Sequence, residues 1–219
     1  MSRNFLLLFL PFSLASCSLP VIPPQAGAAR KVVLVHGFLE TGKGMNYMCE
    51  EIGKSGYDCQ VVKLRPSDGR GGLEKISQRM KRDIEKRFGT EEKISIVSFS
   101  MGGLVSRHYL QNLGGASRCD KLITISSPHN GTAAAFTYPS KGVRQMRPDS
   151  PFLKQLAATE GNLGDIHCTS YRTPFDLIIL PPDSSVWKRA ENLSYPVLLH
   201  PLMLTSRPVL TDILKRLAE

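Results

Sequence analysis

Hydrophobic and polar positions change period repeatedly along this chain, and the changes divide it into alternating strands and helices. Val32-Val33-Leu34-Val35 is a continuous apolar, β-branched run, the pattern of a strand buried on both faces of a parallel sheet. A helix is predicted over 44–54 and a strand over 58–64. Over 73–88, Leu73, Ile76, Met80, Ile84 and Phe88 share one face of a helix, and Lys75, Arg79, Lys81, Arg82, Glu85 and Lys86 surround it. A strand at 93–98 precedes a helix at 102–113, which Gly114-Gly115 ends. Further strands are predicted at 121–126, 166–171 and 195–199. The stretch 128–165 carries loops and one or two short helices. A last helix, 208–217, has Pro208 in its first turn. Strands alternating with helices predict an α/β fold: a mostly parallel sheet of about six strands with helices on both faces.

The first 29 residues do not share this rhythm. Arg3 precedes the apolar run from Phe5 to Leu14, which is too short to span a bilayer and reads as a signal-peptide core. Leu14-Ala15-Ser16-Cys17 resembles the lipobox of bacterial lipoproteins, in which Cys17 would be the lipid attachment site after cleavage before it. Several acyl chains on one residue give stable anchoring where one would not. Cleavage after Ala26-Gly27-Ala28 is the competing reading, and either one exports the protein. The lipobox is preferred because it follows the apolar run directly. The expected organisation is a lipoprotein-type signal peptide at 1–16, a Pro-rich tether at 17–29 and one folded domain at 30–219, which carries the candidate chemistry read below.

Composition narrows the classes further. Forty-two per cent hydrophobic and 21% charged residues are ordinary for a globular chain and exclude collagen-like, coiled-coil and wholly disordered proteins. The net charge of +9 raises the question of nucleic acid. The basic residues are spread over helix faces without the interleaved aromatics of a base-stacking platform, so no nucleic acid partner is expected. Five cysteines include no C-x-x-C pair, which argues against a zinc ribbon.

The chemistry concentrates at Ile96-Val97-Ser98-Phe99-Ser100-Met101-Gly102-Gly103. A serine between a strand and a helix, with small neighbours two positions either side, is the context of the G-x-S-x-G nucleophile elbow. Ser98 stands where the first glycine usually is. Ser100 occupies the apex and is the candidate nucleophile. A serine nucleophile needs donors for the developing oxyanion. The backbone N–H of Met101 follows the nucleophile, and Val35-His36-Gly37-Phe38, after the first strand, offers the N–H of Phe38 as the second donor. His36 is assigned to holding this loop.

The expected order on such a fold is Ser, then acid, then His. His200 follows the predicted strand 195–199 and precedes the final helix, so it is the candidate general base. Asp176, after the strand 166–171, is the candidate acid, and Asp183 is the runner-up. Asp165 precedes its strand and belongs to the wrong end of the sheet. His108 is expected in the helix after the nucleophile, facing solvent or a neighbour. His129, in a loop after a strand, is a candidate to line the cleft.

These segments resemble the α/β-hydrolase superfamily, specifically the small bacterial lipase and esterase group. The resemblance runs from Lys31 to the C-terminus. It rests on His36-Gly37-Phe38, Ser100-Met101-Gly102-Gly103, Ser127-Pro128-His129-Asn130-Gly131-Thr132, Phe175-Asp176-Leu177-Ile178 and the His200 segment. It departs at Phe99, where many lipases carry His. It implies ester hydrolysis through an acyl-enzyme, with no metal or organic cofactor and at most a minimal lid drawn from 132–164. The expected partners are an ester or lipid substrate and a membrane surface reached through Cys17, for a monomeric lipoprotein of the cell envelope. An acyltransferase using the same residues and a non-catalytic surface lipoprotein are the alternatives. Among Cys49, Cys59, Cys119 and Cys168, a Cys49–Cys59 bridge and free buried thiols both remain open.

Overall fold

The computed structural model describes residues 18–26, 30–40 and 42–219. The leader 1–16 and Cys17 lie outside the described residues. The chain runs β1 (Lys31–Val35), α1 (Lys43–Lys54), β2 (Asp58–Val62), α2 (Leu73–Phe88), β3 (Ile94–Phe99), α3 (Met101–Asn112), β4 (Cys119–Ile125), α4 (Lys141–Gln145), α5 (Pro151–Ala158), β5 (His167–Arg172), β6 (Glu191–Ser194) and α6 (Arg207–Ala218). The six strands form one sheet in the order β2-β1-β3-β4-β5-β6, and every neighbouring pair is parallel. This is the doubly wound architecture that the strand–helix alternation predicts.

Pleat and helix period together divide the core in two. Val33, Val35, Ile94, Ile96 and Leu122 face α2, α3 and α5 on one side of the sheet. Val32, Leu34, Val97, Phe99, Ile123 and Ile125 face α1 and α6 on the other. Both sides of β1 are therefore buried, which is why its sequence does not alternate. The predicted face of α2 is the buried one: Leu73, Ile76, Met80, Ile84 and Phe88 are each at most 5% exposed. Each such side chain contributes roughly 1.5–3 kcal/mol by leaving water. The stretch after β4 is chiefly a crossover. Phe152, Leu153 and Leu156 of α5 enter the α2–α3 side of the core, so most of 132–164 covers the sheet.

The predicted strand 195–199 is corrected to β6. The paired residues are Glu191–Ser194, an edge strand with mostly exposed side chains, so no apolar signal marked it. The apolar run that follows cannot continue the ladder. Pro196 lacks an N–H, the Val197 N–H turns back to the Tyr195 carbonyl, and Leu199 has φ 69°.

Cys49 of α1 and Cys59 of β2 form a disulfide across a separation of ten residues, and Cys119 and Cys168 are free. Closing so short a loop stabilises the fold by about 2–3 kcal/mol on the chain-entropy account. Burial pushes both free thiols up, so neither is poised as a nucleophile.

Candidate active site

In a parallel doubly wound sheet, the crevice lies at the carboxyl ends of the strands, where successive connections leave for opposite faces. Here that point is between β1, whose connection carries α1, and β3, whose connection carries α3. Ser100 stands at it. It joins β3 to α3 with φ 53° and ψ −125°, a conformation that costs a non-glycine residue about 1–3 kcal/mol. Its N–H donates to the Ile125 carbonyl at 2.8 Å, and its carbonyl accepts the Gly103 N–H at 3.0 Å. The turn is tight enough that a Cβ on Gly102 would stand 2.6 Å from the Val35 carbonyl oxygen. Only glycine fits there. Ser98, the residue that departs from the usual elbow, is fully buried, and its hydroxyl lies 2.7 Å from that of Ser106 on α3. Serine at this position therefore ties the strand to the helix.

The loop after β1 passes directly beside Ser100. A Cβ on Gly37 would lie 3.0 Å from Ser100 Cβ and 3.2 Å from the Phe99 ring. His36 fixes this loop. Its Nε2 accepts the Leu64 N–H at 2.8 Å, so the neutral ring carries its proton on Nδ1, which donates to the Gly37 carbonyl at 2.9 Å. Glu40 Oε2 accepts the Gly37 N–H at 3.0 Å, and the Leu39 N–H donates to the Ser67 carbonyl at 2.9 Å. The N–H groups of Phe38 and of Met101, the first residue of α3, donate to no other described residue. The Phe38 ring is half-buried, edge-on to Tyr138 at 5.1 Å.

Asp176 and His200 meet at the same end of the sheet. Asp176 Oδ2 accepts from His200 Nδ1 at 2.8 Å, and Asp176 Oδ1 accepts the N–H groups of Ile178 and Ile179, each at 2.9 Å. Burial pushes the Asp176 carboxyl up. The hydrogen bonds from His200 and from the two amides outweigh this and hold it below its ordinary value of 3.8. His200 opens a short 3-10 turn ending at Leu204, and its ring packs on Phe99 at 4.5 Å, next to Ser100 in the chain. Ser100 and His200 share no hydrogen bond among the described residues. Such contacts are often long before substrate tightens them.

The remaining candidates fall elsewhere. The Asp183 side chain is 75% exposed and pairs with Arg172 at 3.0 Å. His108 stacks on Phe152 in the core. His129 is buried and does not line the cleft. It stacks on Trp187 at 4.7 Å, with Nδ1 3.3 Å from Arg107 Nη1 and Nε2 3.0 Å from Thr124 Oγ1. Burial, and then the Arg107 charge, hold it neutral by pushing its pKa well down. Arg107 is itself buried over the Trp187 ring and pushed down to about 10 by burial, with Glu160 opposing. This network clamps the segment after β4 against α3. His129, Glu160 and Trp187 are 22, 53 and 80 residues from Arg107 along the chain, so no local pattern announced it.

Comparison with known proteins agrees with this architecture. Mature Bacillus licheniformis lipase BlEst2 is 17% identical, with a TM-score of 0.71 over 92% of this chain and 97% of that one. The ydeN product of B. subtilis is 12% identical, with a TM-score of 0.63 over 85% and 97%. At those identities the likeness is one of fold, the α/β-hydrolase fold. Rat (Rattus norvegicus) lysosomal thioesterase PPT2 is 28% identical over 130 residues, 57% of this chain but only 42% of that protein. The family model "Palmitoyl protein thioesterase" matches residues 31–163, which include Phe38, Ser100 and Met101 and stop short of Asp176 and His200. That match spans more than half of the sequence, and the chain belongs to the palmitoyl protein thioesterase family.

Proposed function

We propose that this protein is a serine hydrolase of fatty-acyl esters, oxygen esters and thioesters alike, working through an acyl-enzyme on Ser100. The observation that carries the reading is the strained Ser100 apex at the crevice, at the same sheet end as the buried Asp176–His200 pair. His200 Nε2 takes the Ser100 proton as Oγ attacks the acyl carbonyl carbon. The imidazolium is stabilised by Asp176, whose carboxylate stays ionised because it accepts three hydrogen bonds. The Phe38 and Met101 N–H groups receive the oxyanion. Collapse of the tetrahedral intermediate expels the alcohol or thiol, which takes the proton from His200. Water, deprotonated by His200, then releases the fatty acid and restores Ser100.

The family resemblance favours a thioester, and the bacterial lipase resemblance an oxygen ester. Palmitoyl-CoA and p-nitrophenyl palmitate, assayed side by side, test the breadth of the site. Both should turn over, with a shared acyl-enzyme seen as mutual competition. Failure of both substrates, with no labelling of Ser100 by a fluorophosphonate, would sink the proposal.

We further propose export, with lipidation at Cys17 as the anchor. Cys17→Ser should move the protein from the membrane fraction to the soluble fraction of the cell envelope. An unchanged distribution rejects the anchor.

A further inference from the structure

Among the described residues, nine large apolar side chains are exposed, and all but Val21 lie on one end of the molecule. Leu39 follows β1, Phe136 follows β4, Phe175 and Leu177 follow β5, and Leu198 and Leu202 follow β6. Because every strand is parallel, these connections all leave the carboxyl end of the sheet, around Ser100. Exposed patches of this kind mark surfaces that meet another apolar phase.

The polar residues on the same end have a sign. Lys43, Lys63, Arg65 and Arg144 stand exposed on connections that leave β1, β2 and β4. Of the acids on the connections leaving this end, Asp68 is paired with Arg70, Asp183 with Arg172 and Glu40 with the Gly37 N–H, which leaves Asp149 as an exposed acid among these cations.

A third observation says which way the N-terminal segment points. The Arg207 guanidinium at the start of α6 donates to the Ser18 carbonyl at 2.8 Å. Further on, the Ile22 N–H donates to Ser55 Oγ beyond the end of α1, and the Gln25 N–H donates to the Ala218 carbonyl at the end of α6. Leu19 and Ile22 are half-buried against the α1–α6 side of the core. Residues 18–26 therefore run along the α1–α6 side in the direction of α6, from the Arg207 guanidinium at its start to the Ala218 carbonyl at its end. The residue preceding Ser18 is Cys17.

We propose that the Ser100 end of this protein is a bilayer-docking surface. The rim side chains enter the boundary between headgroups and acyl chains of an anionic membrane, and the exposed cations meet its headgroups. Residues 18–26 act as a strap that turns this face toward the membrane when Cys17 is anchored. The crevice then opens onto the bilayer, where acyl chains are, and esters enter it from the lipid side.

The test is orientation. The full chain, matured in cells, is carried in or mixed with phosphatidylethanolamine–phosphatidylglycerol vesicles containing brominated acyl chains. Leu198→Trp should be strongly quenched relative to the parent, whose Trp187 is buried. Thr90→Trp, in the turn before β3 at the opposite end of the sheet, should not be. Equal quenching of both variants, or quenching of neither, overturns the proposal, the latter being the result if a protein partner covers the rim. Leu177→Glu combined with Leu198→Glu should lower vesicle partitioning about tenfold or more and slow hydrolysis of a vesicle-borne ester. Turnover of water-soluble p-nitrophenyl butyrate should persist. Only the activity readings rest on the proposed acyl-enzyme, so loss of all hydrolysis with quenching intact would count against Ser100 chemistry and leave docking standing.

Discussion

Ser100→Ala should reduce turnover of p-nitrophenyl palmitate by up to about 10⁶-fold while leaving the protein folded, the scale seen when a serine hydrolase loses its nucleophile. The expected separation of activity from stability comes from the local geometry. Ser100 occupies φ 53° because the elbow is fixed on both sides by backbone. Its own N–H is held by the Ile125 carbonyl, and Gly102 is pressed against the Val35 carbonyl. None of these contacts uses the hydroxyl, so alanine inherits the same strain and the same bonds. Glycine does not inherit the strain. Ser100→Gly should be equally inactive and more stable, by about 1 kcal/mol, because glycine adopts this conformation without steric cost. Steady-state kinetics and urea denaturation of the three proteins check both halves. A folded alanine variant that kept turnover within tenfold of the parent would remove Ser100 from the mechanism.

Much of this arrangement is legible in the chain, and the parts that are not share a physical cause. The helix Leu73–Phe88 coincides with the apolar spacing at both ends because a single stripe faces a single surface. The elbow is visible because a strand, a serine and two glycines must be adjacent to make it. Edge strand β6 is invisible to the same reasoning. Glu191–Ser194 buries little, and the apolar run beside it contributes only part of its side chains to the core. Leu198 and Leu199 are exposed after it instead, so a run that reads as strand becomes part of a connection. The His129 assignment fails for a different reason. Its position after β4 allows the crevice, and what takes it away is the buried Arg107 guanidinium and the Trp187 ring, both remote in sequence. Pairings of that kind depend on tertiary placement, which neither period nor spacing encodes. Asp176 and His200 are also remote from each other, and chain order on this fold is what singled them out.

Asp176→Asn should lower kcat by about 10⁴-fold with little change in the fold, the size of effect that a wrong histidine tautomer produces in a serine protease triad. The structure dictates how the new amide sits. Asp176 Oδ1 accepts two backbone N–H groups, from Ile178 and Ile179, so the amide oxygen of asparagine must take that side; the reverse orientation would set an NH₂ against two donors. The NH₂ therefore faces His200 Nδ1. That nitrogen must become an acceptor, the imidazole proton moves to Nε2, and Nε2 can no longer take the Ser100 proton. Acid titration supplies an independent check, because the substitution also removes a linked proton. The carboxyl is held below 3.8 in the folded state, so the stability it contributes is fully present above that value. It is lost as pH falls through the lower folded value. The parent should therefore lose stability faster than Asp176→Asn on acidification below about pH 4. Equal slopes would mean that the carboxyl is not held down by these bonds. Near-normal turnover in the variant would mean that His200 does not depend on it.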